Sequence, residues 1–287
     1  MNVEVTDACN LNCPFCLRPR GGGSYMDVEL FTEIARFLRS HRHRSIGLHW
    51  RGEPCVHPLL PELAEAARDL RFKNIYLSTN ASTEFLHDRR YVEKLLMNLH
   101  RIIICVDGYD ASTVGRYRRG ADWDTVMRNL ETLGDVDTGC VRSLRVLMFR
   151  YNDGYEGYYM KLARRYNIQA VNFVSPVIHG DVAEWMSADP RYQRYRRVDG
   201  GWRVKRTPAC TQNVLNGSSL IVDVDGFLYP CCFDMGLSHP LGHVLRDSWG
   251  DIMGNFDALK PRMLKRELEM CRHCVIPSEK IYHWRTP

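Results

Sequence analysis

The sequence predicts an α/β protein with a partial (β/α)6 TIM-like barrel and a small C-terminal domain rich in cysteine. Over residues 1 to 180, short β-branched runs alternate with amphipathic stretches, which is typical of repeated β-α units around a parallel sheet. Six such units are too few for a closed eight-stranded barrel. Beyond residue 209 the pattern changes to paired cysteines, which indicate a separate metal-binding unit.

The β-branched runs place six strands, and the stretches between them carry helical periodicity. The predicted strands are Asn2 to Thr6, Ile46 to Trp50, Asn74 to Ser78, Ile102 to Val106, Leu144 to Phe149 and Ala170 to Val174. In the first helix Asp27 is a predicted N-cap, and apolar residues recur at spacings of three and four, so one face packs on the sheet. These residues are Leu30, Phe31, Ile34, Ala35 and Leu38. In a barrel of this kind the functional site lies at the C-terminal ends of the strands.

Length and composition describe a globular protein with one full domain and a small appendage. The chain has 287 residues, of which 45% are hydrophobic and 25% charged. No apolar run approaches the ~20 residues that cross a bilayer, and the first residues lack a signal-peptide pattern, so we expect a cytoplasmic protein without a membrane partner. Eleven cysteines in a chain of this length indicate metal clusters in a reducing compartment rather than a secreted disulfide scaffold.

Residues 191 to 206 are densely basic, although the net charge of the chain is only +5. We interpret this segment first as a solvated linker. Because its basic residues alternate with Tyr192, Tyr195 and Trp202, binding to RNA or to a phosphate is the alternative. For the whole chain, the corresponding alternative is a non-catalytic module that binds zinc and nucleic acid.

Three cysteines near the start of the chain, Cys9, Cys13 and Cys16, have the spacing C-x3-C-x2-C. Thiolates select iron–sulfur centres and zinc, and three of them leave one iron of a [4Fe-4S] cube open to an outside ligand. The loop resembles that of the radical S-adenosylmethionine (SAM) superfamily, in which the open iron meets the amino and carboxylate groups of SAM. Phe15 matches the family's aromatic residue beside the adenine. A zinc site is the alternative.

The segment after the second strand resembles the Gly-Gly-Glu-Pro motif of that superfamily, with Gly52 and Glu53 in the matching places. The resemblance implies that Glu53 accepts hydrogen bonds from the SAM ammonium group, and that Gly52 lets the backbone come close to the ligand. Arg51 departs from the motif, which leaves the path of the strand end open and marks a candidate substrate contact.

Polar residues at the ends of strands three and four resemble family positions near the SAM ribose or the substrate. They are Ser78, Asn80 and Asp107. For Ser78 and Asn80 the alternative is turn capping, because short polar side chains satisfy backbone groups where strands end.

A second set of cysteines, Cys210, Cys231, Cys271 and Cys274, is large enough to ligate every iron of one cluster. Ser219 to Val224 and Phe227 to Tyr229 are predicted to form a hairpin that turns at Asp225-Gly226. With its G-x4-C element, this region resembles the twitch domain, a shortened SPASM extension that holds one auxiliary [4Fe-4S] cluster. A zinc ribbon is the alternative.

The expected organisation is therefore a radical SAM partial barrel, a basic linker, a twitch domain and a C-terminal tail. The corresponding ranges are residues 1–185, 186–209, 210–275 and 276–287. The resemblance implies SAM and two [4Fe-4S] clusters as cofactors, and a reductant of the flavodoxin or ferredoxin type as partner.

Cys232 is the predicted catalytic hydrogen-atom donor, with Cys105 as the alternative donor. Adjacent residues of an extended strand point to opposite sides, so Cys232 is expected to face away from the cluster if Cys231 faces it. A thiol in the cavity could return hydrogen to a substrate radical and invert a stereocentre, as in the neomycin-type aminoglycoside epimerases that the chain resembles. The alternative is oxidation of an alcohol to a ketone through the auxiliary cluster, as in the aminocyclitol dehydrogenases of butirosin biosynthesis.

A small-molecule substrate is favoured because the first strand begins within three residues of the N-terminus, without a leader-binding domain. An amino sugar or aminoglycoside would need carboxylates near its ammonium groups. Topology offers Asp107, Asp223, Asp225 and Asp234 for this role. A peptide substrate is the alternative, since sulfatase-maturing enzymes share the same extension.

Overall fold

The structure, a computed structural model, describes residues 1–18, 23–205, 217, 220–272 and 279–283. Its first six strands lie side by side in chain order, and every neighbouring pair among them is parallel. These strands are β1 (Asn2–Val3), β2 (Ser45–Gly47), β3 (Asn74–Thr79), β4 (Arg101–Cys105), β5 (Val141–Leu147) and β6 (Ala170–Val174). The predicted α/β class with an unclosed barrel is confirmed.

Helices alternate with these strands along the chain, and the last of them follows β6. They are α1 (Val28–Ser40), α2 (Leu60–Asp69), α3 (Arg89–Asn98), α4 (Val114–Tyr117), α5 (Trp123–Asp135), α6 (Glu156–Arg165) and α7 (Val182–Trp185). The predicted N-cap of α1 is confirmed, because Asp27 Oδ1 accepts a hydrogen bond of 2.7 Å from the Leu30 amide. Phe31 and Leu38 of α1 are fully buried in the apolar core, so the predicted helix face does pack on the sheet.

The two faces of the sheet differ in polarity. Because side chains alternate along a strand, Ile75 and Leu77 of β3 enter the core with the helices, whereas Ser78 faces the other side. On β4, β5 and β6, the residues Cys105, Arg145 and Asn172 lie at one level, paired in register across the strands. The concave side of the sheet is therefore lined by polar groups, as expected of a ligand-binding surface.

A hairpin occupies part of the segment that was expected to be a solvated basic linker. Its strands, β7 (Tyr195–Val198) and β8 (Gly201–Val204), pair antiparallel. Tyr195 is buried against Ile178 and Met186. Burial of this aromatic side chain packs the segment against its neighbours despite the positive charge of the segment.

The predicted hairpin at Asp225-Gly226 is confirmed within the described residues, whereas Ser219 lies outside them. Strand β9 (Ile221–Val222) pairs parallel with β1 and antiparallel with β10 (Phe227–Tyr229). Gly226 has a φ of +91°, a conformation that glycine adopts without strain. The hairpin therefore extends the barrel sheet on the β1 side.

The rest of the C-terminal region adds two strands and two helices to the described chain. They are β11 (Gly242–His243), α8 (Trp249–Leu264), α9 (Glu269–Arg272) and β12 (Glu279–His283). Strand β12 falls within residues 276–287, which were expected to form a tail, and it pairs antiparallel with β6 at the far edge of the sheet. Among the described residues, no helix is both long and apolar enough to span a membrane.

Candidate active site

A cavity of about 390 Å³ opens at the C-terminal ends of the parallel strands. It brings together eight residues that the sequence analysis singled out, although they are spread over more than seventy positions of the chain. These residues are Cys9, Cys13, Phe15, Cys16, Gly52, Glu53, Ser78 and Asn80. Their convergence on one wall is what the resemblance to SAM-binding enzymes requires.

The three thiols of the N-terminal loop lie close enough to influence one another. Burial is the main cause that raises the pKa of Cys13 to about 11; the neighbouring Cys16 and Cys9 contribute to the rise, and Arg118 opposes it. No group of three described His, Cys, Asp or Glu side chains is arranged to hold a single metal ion. A [4Fe-4S] cube takes each cysteine on a different iron, so three thiols that line one cavity without converging on a single point fit such a cube.

Gly52 lets the backbone after β2 pack closely against the backbone just before Cys9. A Cβ atom at this position would lie 2.2 Å from the Thr6 carbonyl oxygen and 2.6 Å from that of Ala8. The next residue completes the contact, because the Glu53 amide donates to the Ala8 carbonyl at 2.8 Å. Glycine is therefore required here for the approach of two backbones.

We expect Gly52→Ala to displace the cysteine loop, because the backbone carbonyls that it would meet cannot yield as a side chain could. Reconstituted protein should then bind less iron and should melt at a lower temperature, as measured by iron assay and thermal unfolding. Gly157→Ala is the matched control, since a Cβ atom at Gly157 in α6 meets nothing within 4 Å. Wild-type iron content in Gly52→Ala would contradict this role.

Glu53 lies on the cavity wall with its carboxylate held in place from three sides. Its Oε1 accepts from the Cys55 amide at 3.0 Å and from Thr79 Oγ1 at 2.6 Å, and its Oε2 accepts from the Asn80 amide at 2.6 Å. Burial raises the pKa of Glu53, while these hydrogen bonds lower it. A buried carboxylate of this kind fits a cationic ligand group such as the amino group of SAM.

Arg51, the residue that departs from the family motif, is committed to the protein itself. Its guanidinium forms two hydrogen bonds with the Glu4 carboxylate, of 2.9 Å from Nε and 2.5 Å from the terminal nitrogen. Both side chains are buried. The pair connects the end of β2 to β1, so Arg51 positions the motif, and Arg51 is also among the residues that line the cavity.

Asp107 lies behind the cavity wall, not on it. The residue is 1% exposed, and its carboxylate lies 2.7 Å from Arg118 Nε and accepts from the Leu147 amide at 2.6 Å. Arg118, which sequence reasoning missed, does line the cavity. Asp107 therefore contacts Arg118, which lies between it and the cavity. The two residues are eleven positions apart with a short helix between them, so no local spacing indicated the pair.

Ser78 and Asn80 have different partners at the strand end. Ser78 Oγ lies 3.2 Å from the Cys105 thiol, and both groups line the cavity. Asn80 accepts from the Ser82 amide at 2.8 Å, as the capping alternative predicted, and donates to Asn10 Oδ1 at 3.0 Å. Asn80 thus caps a turn and also links β3 to the cysteine loop.

Two of the four predicted auxiliary-cluster ligands fall within the described residues, and they lie near each other. Cys271 is buried, and its pKa is raised by burial and by the neighbouring Cys231 thiol. Cys210 and Cys274 lie outside the described residues. The proximity of Cys231 and Cys271 is the arrangement that a shared cluster needs.

Cys232 is placed differently from the prediction. Residues 231 to 233 form a turn after β10 ends at Tyr229, so the alternation of an extended strand does not apply to them. The Cys231 and Cys232 thiols are close enough to hydrogen-bond, and Cys232 is exposed. Its carbonyl accepts a 2.9 Å hydrogen bond from Trp50 Nε1, and Trp50 and Phe233 line the cavity. Cys232 therefore lies near the rim, while Cys105 lies inside.

Of the aspartates expected near an amino sugar, Asp223 and Asp234 have structural partners, and Asp225 is exposed. Asp223 accepts from the Asp225 and Phe227 amides in the hairpin turn, and Asp234 accepts from two amides of the following loop. Among the described residues that line the cavity, Glu53 is the only carboxylate.

Comparison with known proteins identifies the two parts of the chain. Residues 3–181 match the radical SAM superfamily, and residues 210–275 match SPASM, an iron–sulfur cluster-binding domain. The radical SAM domain implies SAM with a [4Fe-4S] cluster, and the SPASM domain implies auxiliary iron–sulfur binding.

Curated relatives are similar over part of their length. The GTP 3',8-cyclase of Clostridium botulinum is 25% identical over 183 residues, which are 61% of this chain and 55% of that protein. The 7,8-dihydro-6-hydroxymethylpterin dimethyltransferase of Methanocaldococcus jannaschii is 34% identical over 98 residues, 33% of this chain and 19% of that protein. The chain thus matches about half or less of these relatives.

Solved structures share the fold at low sequence identity. BtrN in complex with AdoMet and 2-DOIA has a TM-score of 0.55 at 16% identity, covering 94% of this chain and 90% of that one. AdoMet-bound anSMEcpe has a TM-score of 0.61 at 17% identity, covering 88% and 79%. SuiB from Streptococcus suis has a TM-score of 0.66 at 13% identity, covering 95% and 71%. With the cysteine loop and Glu53 on one cavity wall and a family match over more than half of its length, the chain belongs to the radical SAM superfamily and carries a C-terminal SPASM domain.

Proposed function

We propose that this enzyme removes a hydrogen atom from a small-molecule substrate and returns another from a cysteine thiol, so that a stereocentre is inverted. The observation that carries the proposal is the Cys105 thiol, which lines the cavity together with the SAM-binding wall. A thiol is a good hydrogen-atom donor to a carbon radical, because its S–H bond is weaker than a C–H bond next to oxygen.

The first step needs SAM to be held between the cysteine loop and the end of β2. Cys9, Cys13 and Cys16 would ligate the cluster, Glu53 would bind the SAM amino group, and Phe15 would lie beside the adenine. When bound, these cofactors supply one-electron cleavage of SAM and a carbon radical that removes hydrogen from an unactivated C–H bond. The chain's contribution is placement and the exclusion of water.

In the second step a thiol returns a hydrogen atom to the substrate radical. The substrate C–H bond breaks on one face, the S–H bond then breaks, and a new C–H bond forms on the opposite face. Cys105 is 8% exposed and lies beside Ser78, inside the cavity, so it is the donor that the geometry favours. Cys232, the donor expected from sequence, lies at the rim and is the rival donor.

The sulfur radical left by this step must gain one electron and one proton before the next turnover. We assign the electron to a flavodoxin-type or ferredoxin-type reductant, delivered through the auxiliary cluster that Cys231 and Cys271 would help to hold. Iron–sulfur chemistry of this kind needs a reducing compartment, so we expect the enzyme to work in the cytoplasm.

Oxidation is the second candidate, and the hydrogen bond from Trp50 to the Cys232 carbonyl favours it. That bond places the loop of the auxiliary cysteines against the cavity, where the cluster could accept an electron from a substrate radical. Loss of that electron and of a proton would give a ketone. BtrN, solved in complex with AdoMet and 2-DOIA, shares the fold.

Solvent deuterium distinguishes these candidates. We expect anaerobic turnover of the substrate in deuterated water to place a single deuterium at the inverted carbon of the product, because a thiol exchanges its hydrogen with solvent. Mass spectrometry of products from candidate aminoglycosides and other small sugars is the measurement. Loss of two hydrogens without deuterium uptake would support the dehydrogenase, and turnover of peptides alone would support the peptide-modifying alternative.

A further inference from the structure

A second depression, of about 260 Å³, has a described lining that shares no residue with the active-site cavity. Two basic, two aromatic and one acidic side chain line this outer depression: Arg116, Arg150, Tyr151, Trp185 and Glu184. Both arginines are exposed, and the Arg116 guanidinium carbon lies 5.3 Å from the centre of the Tyr151 ring. Within the described part of the chain, the lining of the outer depression therefore carries an excess of positive charge.

Packed aromatic rings connect the outer depression with the active-site cavity. Trp185 lines the depression, and its ring meets the Phe15 ring edge-on, with 5.1 Å between the ring centres. Buried Phe149 lies beside both rings, 5.5 Å from Trp185 and 6.4 Å from Phe15. Phe15 lines the active-site cavity and directly precedes Cys16 in the cysteine loop. A protein that covers the outer depression would therefore touch Trp185, which itself packs against the cysteine loop.

The basic hairpin of β7 and β8 borders the same aromatic residues. Tyr195 of β7 belongs to one apolar cluster with Phe15 and Trp185. Arg196 and Arg197, which follow Tyr195, are both exposed. A stable interface covers about 800 Å² on each partner, which is large enough to include these arginines together with the outer depression. The segment that was expected to be a solvated linker thus adds positive charge next to the cysteine loop.

We propose that the outer depression and the exposed arginines of β7 form the docking surface for an acidic electron-transfer protein, which supplies the electron for SAM cleavage. This inference rests on the proposed function only for the need of that electron. Exposed positive charge attracts an acidic partner and raises its rate of association. The partner loses one electron, the cluster held by the cysteine loop gains it, and no atom is transferred.

The aromatic contact with the cysteine loop favours an electron donor over nucleic acid, the other polyanion that a basic surface attracts. The rings of Trp185 and Phe15 fill the space between the outer depression and Cys16 with packed protein atoms. Electrons tunnel more readily through packed protein atoms than across a gap of solvent. A nucleic acid bound at this surface would have no use for such a contact.

The test uses flavodoxin, an acidic electron-transfer protein, as the probe. Calorimetry measures its binding to the anaerobically reconstituted holoenzyme at low and at high salt, and we expect salt to weaken that binding. Formation of 5'-deoxyadenosine from SAM is then followed with flavodoxin that its reductase and NADPH keep reduced. The same reaction with dithionite is the reference, because this small reductant needs no docking surface.

Charge reversal assigns the binding to this surface. Arg150→Glu/Arg197→Glu should weaken flavodoxin binding by about tenfold or more at low salt and slow flavodoxin-driven SAM cleavage, while the rate with dithionite stays as in the wild type. Arg150→Gln/Arg197→Gln should act in the same direction with a smaller effect, and it keeps the test decisive if charge reversal lowers the iron content. The matched control is Arg36→Glu/Arg90→Glu, which changes exposed arginines of α1 and α3 and alters the net charge equally. This control should bind flavodoxin nearly as the wild type does.

Three results would overturn the inference: no binding of flavodoxin at low salt, binding that does not depend on salt, or an equal loss in the control and in Arg150→Glu/Arg197→Glu. Salt-dependent binding of RNA that is lost in Arg150→Glu/Arg197→Glu, with flavodoxin binding unchanged, would assign the surface to nucleic acid instead.

The proposed function is read separately, from deuterium uptake with dithionite as the reductant. Inversion with dithionite but no effect of the arginine variants on flavodoxin would leave the function standing and remove the inference. Flavodoxin docking at these arginines without inversion would do the reverse.

Discussion

Cys105→Ala should abolish inversion, while 5'-deoxyadenosine is still formed. The alanine side chain has no hydrogen atom that a carbon radical could take, so the substrate radical would be left without a donor in the cavity. The expected result is loss of the inverted product below detection, with loss of solvent deuterium uptake. Chiral chromatography with mass spectrometry measures both.

Two further thiol variants control this experiment. Cys140→Ala removes another buried thiol, whose side chain packs in the apolar core away from the cavity lining, and it should retain inversion. Cys232→Ala should retain inversion if Cys105 is the donor. Loss of inversion in Cys232→Ala together with its survival in Cys105→Ala would move the donor to the rim, as the sequence analysis expected.

Arg118→Met should destabilise the protein by about 3–5 kcal/mol, the usual cost of breaking a buried ion pair from one side. Arg118 forms an ion pair of 2.7 Å with Asp107, which would be left buried and charged. The midpoint of urea unfolding is the measurement. Arg116→Met is the matched control two residues earlier, in α4, because Arg116 is exposed, and its effect should be within about 0.5 kcal/mol.

The destabilisation by Arg118→Met should depend on pH. Burial already raises the pKa of Asp107 above its ordinary value of 3.8, and Arg118 is the largest influence that lowers it. Without Arg118 the pKa should rise further, so the folded state favours protonated Asp107. The loss relative to wild type should therefore be largest at neutral pH and should shrink as the pH falls through the raised pKa. A loss that grows on acidification would contradict this account.

The barrel could be predicted from the sequence because its information is local. Strand β4 carries a continuous β-branched run, Ile102–Ile104, and helices such as α1 show their own apolar face. The cysteine loop and the hairpin at Asp225-Gly226 are likewise recognised from residues that lie close together in the sequence. Such features need no knowledge of the tertiary structure.

The polar partnerships of the site could not be predicted, because each joins residues that are distant in sequence. Glu4 meets Arg51 only after β1 and β2 pair, and the short helix α4 has to return Arg118 to Asp107. The position of Cys232 depended on where β10 ends, and strand ends are set by tertiary context. The hairpin over residues 195–204 packs through the buried side chain of Tyr195, whereas the basic composition of the segment predicted a solvated linker.

The central claim is that the loop of Cys9, Cys13 and Cys16, with Glu53 on the same cavity wall, holds a cluster that cleaves SAM. Anaerobically reconstituted protein should contain about eight irons per chain, as two [4Fe-4S] clusters require. Incubated with SAM and a strong reductant, it should form methionine and 5'-deoxyadenosine in equal amounts. Protein that carries zinc in place of iron, or that leaves SAM intact under these conditions, would contradict the account.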